Sequence, residues 1–113
     1  MISVADVERS IAFYTHLGFE VANSFECEGD PQASWAWLRS GEAALMLAAR
    51  SEAIPTNHTV IFYFYADDVA TARDSLVEAG LNPGEIATPF YAPQGEFELV
   101  DPDGYIVMVS HFD

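Results

Sequence analysis

Residues 100–112 read VDPDGYIVMVSHF, an acidic turn running straight into a nearly all-apolar strand with Met108 at its middle. In that turn, Asp101-Pro102-Asp103-Gly104, Pro and Gly stand where turn dihedrals favour them, so the segment predicts a hairpin. A similar piece, SGEAALMLAAR (residues 40–50), carries Met46 at 62 positions before Met108. Whether these two strands face a packed core, a ligand groove or a metal decides how the chain is read.

The offset recurs. ADVERSIAFYTHLGFEV (residues 5–21) matches DDVATARDSLVEAGLNP (residues 67–83), with Asp6 twelve residues before Gly18 and Asp68 twelve before Gly80. Each Asp suits a helix N-cap, where its carboxylate accepts from free first-turn amides. Each Gly suits the left-handed residue that ends a helix. Between them Val7, Ile11 and Tyr14 form one apolar stripe, and Val69, Ala72, Leu76 and Ala79 another, which predicts two amphipathic helices.

Strand-like segments surround both helices. HTVIFYFYA (58–66) precedes the second; FEVANSFEC, ASWAWLR and AALMLAA follow the first. After the second come a weaker segment near GEIATPF (84–90), then GEFELV and YIVMVSHF. Each half therefore reads strand, helix, three strands, an α+β pattern, with ARSEAIPTN (49–57) as linker. Shifted by 62, most of the first strand's counterpart would fall before Met1, so that strand is expected as a stub. A shortened strand leaves backbone groups on its neighbour for a partner chain to cover.

At 113 residues the chain is long enough for one domain with its own core, and 50% hydrophobic residues argue against disorder. Four Lys+Arg against eighteen Asp+Glu give a formal charge of -14, which excludes nucleic acid as a partner. The acidity serves solubility, or draws a cationic ligand into a cleft. No apolar run is long enough to span a bilayer, no signal sequence precedes the first motif, and the single cysteine, Cys27, forms no intrachain disulfide. These features place the chain in the cytoplasm, with no membrane partner.

SVADVERSIAFYTHLGFEV and GEFELVDPDGYIVMVS together resemble the two ends of the glyoxalase / bleomycin-resistance / extradiol-dioxygenase superfamily, the vicinal oxygen chelate fold. The resemblance covers nearly the whole chain in the right order. It implies an α+β fold of two βαβββ modules forming open, incomplete barrel-like sheets around a groove, the first strand of module one truncated. One domain, 1–113, would comprise module one at about 1–50, a linker at 51–57 and module two at about 58–113. It also implies pairing of modules, within one chain or in a homodimer.

Catalytic members hold a divalent metal through His, Gln or Glu on the first strands and on a last strand. Carried onto this chain, one position falls before Met1, the second at Thr59 beside His58, and the last at Met108. A thioether does not replace a carboxylate for hard or borderline metals. The resemblance thus implies that the metal site is lost, with no catalytic residue and no cofactor.

Taking the face from Thr59 and Met108, alternation adds Ile61, Tyr63, Tyr65 and Ser110. The resemblance puts the family's ligand-contacting position before the turn at Glu98, with Glu96 on the same side and Phe97 and Leu99 turned to the helix. Leu38 reads as core, so Trp35 and Trp37 face the groove with Met46. At each position a packed sheet face, or a solvated carboxylate, is the competing reading. Together these ten residues suit a flat or cationic organic ligand. Phe90 and Tyr91 form a rim or a loop anchor. His16 belongs at a helix C-terminus; His58 and His111 fall outside the groove.

The function expected is a metal-free small-molecule-binding protein with a groove for an aromatic or cationic ligand. The alternative is a metal-dependent lyase, isomerase or dioxygenase using His58, Glu98 and a histidine upstream. A third reading makes the groove a dimer contact.

Overall fold

The computed structural model describes residues 1–25, 34–50, 54 and 60–111. Cys27, His58, Thr59 and nearly all of the linker lie outside the described residues. The chain divides into two compact units, Met1–Pro55 and Thr56–Asp113.

Unit one runs β1 (Ile2–Val4), α1 (Val7–Thr15), β2 (Glu20–Phe25), β3 (Trp35–Ser40) and β4 (Ala43–Ala49). Its sheet has the order β1-β4-β3-β2, with β1 parallel to β4 and the other pairs antiparallel. The stub strand is three residues long, against six for its counterpart in unit two. Asp6 caps α1, its carboxylate accepting from the Arg9 amide at 3.2 Å. Val7, Ser10, Phe13 and Tyr14 form the buried face of α1, which packs on β3 and β4 over Val4, Ala36, Leu38 and Leu47. The Tyr14 ring meets Phe13 and Phe19 edge-on. The stripe expected through Ile11 is therefore shifted, because Phe13 and Ser10 take the sheet side and Ile11 stays half-buried.

Unit two runs β5 (Ile61–Ala66), α2 (Val69–Glu78), β6 (Glu96–Val100) and β7 (Ile106–His111), with sheet order β5-β7-β6. Asp68 caps α2 by accepting from the Thr71 amide at 3.0 Å. Val69 and Leu76 are buried as α2 packs on β6 and β7, over Phe97, Leu99, Val107 and Val109, whereas Ala79 is exposed. Gly18 and Gly80 end the two helices at φ 95° and 89°, backbone that glycine adopts without a Cβ clash. The repeat holds in register: Ile2 pairs with Leu47 as Phe64 pairs with Val109, each shifted by 62.

The α+β pattern of two modules with open sheets is thus present, with one difference. The segment at 84–90 forms no strand. Gly84 N–H donates to the Glu98 carbonyl at 2.8 Å, and Ala87 exchanges two 2.9 Å bonds with Glu96. Pro83 and Pro89 donate no backbone bond, so between them the ladder shrinks to a single bridge. The second sheet accordingly has three strands where the first has four.

The acidic turn closes the β6–β7 hairpin. Buried Asp101 accepts from the Asp103 and Tyr105 amides at 2.8 and 2.9 Å, and Gly104 N–H donates to the Asp101 carbonyl. The turn therefore fixes the register of the two strands it joins.

Candidate functional site

That register builds a grid on the sheet face of unit two opposite α2. Tyr63, Met108 and Glu98 lie across one row; Tyr65, Ser110 and Glu96 lie across the next. Ile61, Ile106 and Val100 complete a third row at the turn end. Side chains paired directly across strands share a face and touch. Phe97 and Leu99 point to α2 and are buried, as the alternation requires.

The face is open. Tyr63 is 45% exposed and Tyr65 59%, with Ile61 and Glu98 also exposed and Met108 half-buried. Rows of large apolar and aromatic groups left open to solvent on a sheet are a feature of binding surfaces.

Glu96 differs from Glu98. It is 4% exposed, and its Oε1 accepts a hydrogen bond from the Tyr91 hydroxyl at 3.0 Å. The bond and the negative charge of Glu96 hold the Tyr91 phenol above its ordinary value, burial and Tyr63 adding to the effect. Phe90, 95% exposed, meets the Tyr91 ring edge-on at 5.5 Å. Tyr91 is thus tied to the strand by its hydroxyl, while Phe90 stands clear of it.

In unit one the sheet face opposite α1 carries the other three predicted residues. Trp37 stands across from Met46, and Trp35 across from Ala48. Phe25 stacks on Trp35 at 6.4 Å and 19°. Phe25 is the member that reading by alternation misses. A bulge between Val21 and Asn23 resets the alternation, so Val21 pairs with Leu38 whereas Phe25 pairs with Trp35.

The metal positions that the resemblance implies do not fit a metal among the described residues. Met108 offers a thioether, its neighbours Glu98 and Glu96 are carboxylates, and no imidazole stands in the rows around them. No group of three His, Cys, Asp or Glu side chains comes together there. His16 is the exposed C-cap of α1. His111 pairs with Ala66 on the helix side of β7, where its charge helps lower the Asp68 carboxyl, after the larger effect of the Thr71 hydrogen bonds.

A cavity of about 360 Å3 lies at the N-terminal turn of α1, lined by Asp6, Glu8, Ile11, Phe25, Ser34 and Trp35 among others. Phe25 and Ser34 flank residues 26–33, outside the described part, and the cavity carries no assignment.

Among solved structures, a bleomycin resistance determinant encoded on the transposon Tn5 matches with 21% identity over 99% of this chain and 93% of its own, at a TM-score of 0.77. A bleomycin-binding protein complexed with bleomycin matches with 21% identity over 99% and 94%, at 0.74. A fosfomycin resistance protein from Listeria monocytogenes, complexed with Mn(II) and dihydroxypropylphosphonic acid, matches with 10% identity over 99% and 88%, at 0.77. No curated protein sequence is significantly similar to this chain. Among the described residues, no helix is long and apolar enough to cross a membrane. The model of the Glyoxalase/Bleomycin resistance protein/Dioxygenase superfamily matches residues 1–109, and the chain belongs to that superfamily.

Proposed function

We propose that the chain is a metal-free small-molecule-binding protein of this superfamily, acting as a homodimer in the cytoplasm and taking an aromatic or cationic ligand. The observation that carries this reading is the row Tyr63–Met108–Glu98. An aromatic face, an adaptable thioether and a carboxylate stand side by side at the place where the catalytic pattern needs a metal-binding carboxylate. A ring quadrupole and a carboxylate both favour a cation over a neutral isostere. The formal charge of -14 adds a long-range field of the same preference. Trp35 and Trp37 beside Met46 give unit one a similar aromatic surface. A bleomycin-binding protein and a bleomycin resistance determinant are among the solved structures that share this fold.

The test is metal content per chain by elemental mass spectrometry on tag-free protein, before and after loading with Mn, Fe, Ni and Zn, followed by ligand screening through Trp fluorescence. The reading expects no metal retained through gel filtration and quenching by cationic aromatics. Near one metal per chain or per dimer, retained through gel filtration, would overturn it.

A further inference from the structure

Glu96 combines deep burial with an unsatisfied carboxyl oxygen. It is 4% exposed, and its Oε2 is buried with no hydrogen-bond partner among the described residues. A carboxylate oxygen taken out of water without a donor lowers stability, so its retention calls for a compensating partner. The other oxygen is already engaged by the Tyr91 hydroxyl. Tyr91 thereby fixes the rotation of the carboxylate and decides which oxygen is left over.

Among the described residues of unit two no Lys or Arg pairs with it. The chain has four basic residues besides histidine. Arg73 is the one of them in unit two. Arg73 donates to the Gly84 carbonyl at 2.7 Å and the Pro83 carbonyl at 3.3 Å, and pairs with Glu85. A metal is a poor candidate, since no set of three ligating side chains gathers among the described residues. An anion is disfavoured by Glu96 itself.

We propose that Oε2 of Glu96 is the receptor for a positively charged N–H donor on the ligand, an alkylammonium, amidinium or protonated aromatic amine, and that Tyr91 is the positioning residue that aims it. This deepens the proposed function and rests on the reading that this sheet face holds a ligand. Tyr65 and Ser110 share the row of Glu96, and Tyr63 stands one row on. The apolar body of such a ligand lies over the tyrosines while its N–H group displaces the cover over Oε2, which solvent does not reach in the unliganded chain. Charge-assisted bonds of this kind are short, strong and directional, so the site distinguishes an N–H cation from a quaternary one.

Three probes separate charge from hydrogen bonding: proflavine, a planar cation with N–H donors; N-methylacridinium, a cation without them; and acridine, neutral in mildly alkaline buffer. Each is titrated by fluorescence into the full chain, and into Glu96→Gln, Tyr91→Phe and Tyr63→Ala. The wild type is expected to prefer proflavine to N-methylacridinium. Glu96→Gln should lose about tenfold or more in proflavine affinity and with it the preference, as charged hydrogen bonds do. Tyr91→Phe should shrink the preference, and Glu96→Gln should melt no lower than wild type.

Equal binding of proflavine by wild type and Glu96→Gln, with Tyr63→Ala weakening both cations, overturns this inference and leaves the proposed function standing. A lower melting temperature for Glu96→Gln, with all probes weakened alike, makes Glu96 structural and also overturns it. Failure of every probe to bind the wild type overturns the ligand face itself, and this inference with it.

Discussion

Glu98 stands directly opposite Met108 in the β6–β7 ladder, and Tyr63 stands opposite Met108 on the other side. The thioether therefore sits between a phenol and a carboxylate on an open sheet face. Replacing it by a second carboxylate puts like charges on directly opposed positions. Met108→Glu should destabilise the protein by about 1 kcal/mol at low ionic strength. Urea unfolding at low and high salt measures this; a variant as stable as wild type at low salt would show that Glu98 turns away from Met108.

Ligand binding separates the roles of the exposed aromatics. Tyr63→Ala should weaken a cationic aromatic ligand roughly fivefold or more, in line with a cation–π contact of about 1–2 kcal/mol. Trp37→Ala should likewise weaken binding while sedimentation shows the proposed homodimer intact. Dissociation of the dimer instead would assign the Trp37 face to subunit contact.

How far these features can be read without coordinates differs from residue to residue. The repeat of Asp6 and Asp68, and of Gly18 and Gly80, is explicit, because caps and left-handed termini each demand a narrow set of residues. The face of Tyr63, Met108 and Glu98 follows from alternation in strands without a bulge once the family resemblance sets the sides of Met108 and Glu98. Phe25 escapes for the opposite reason: the bulge at Val21/Asn23 leaves no mark in the composition of the strand. The segment at 84–90 looks strand-like through Ile86 and Phe90, yet the flanking prolines limit it to a bridge. Nor does any pattern reveal that Glu96 is buried and Glu98 exposed. That difference depends on Tyr91 reaching back from a loop.

The Tyr91–Glu96 bond has a signature in alkali. Because the phenol is held above its ordinary value of 10.0, the folded state binds this proton more tightly than the unfolded chain. The stabilisation is fully present below that value and is lost as pH rises through the higher folded one. Phenolate absorbance should show a late-titrating tyrosine that is missing in Tyr91→Phe and earlier in Glu96→Gln. An unchanged titration curve in Glu96→Gln would contradict the bond.

The Asp68 cap has the converse signature in acid. Hydrogen bonds from Thr71 hold its carboxyl below the ordinary 3.8, so its stabilisation is present above that value and lost as pH falls through the lower folded one. Asp68→Ala should lower the melting temperature at neutral pH and flatten the acid limb of the stability curve. Equal melting temperatures would show that α2 needs no cap.

Gly95 holds Glu96 in place. Its φ is +102°, and a Cβ there would meet Ile86 Cγ2 at 2.8 Å. Gly95→Ala should cost roughly 1–3 kcal/mol from strained backbone and this contact. Chemical unfolding reads the loss, and a neutral substitution would mean that the 84–90 segment gives way freely.

The most direct test of metal-free recognition is calorimetric titration of proflavine into the protein treated with chelator, repeated after loading with Mn(II) and at raised salt. The account predicts the same dissociation constant with and without metal, weakening as salt screens the acidic field. Binding that appears only with Mn(II), or that salt leaves unchanged, would contradict it.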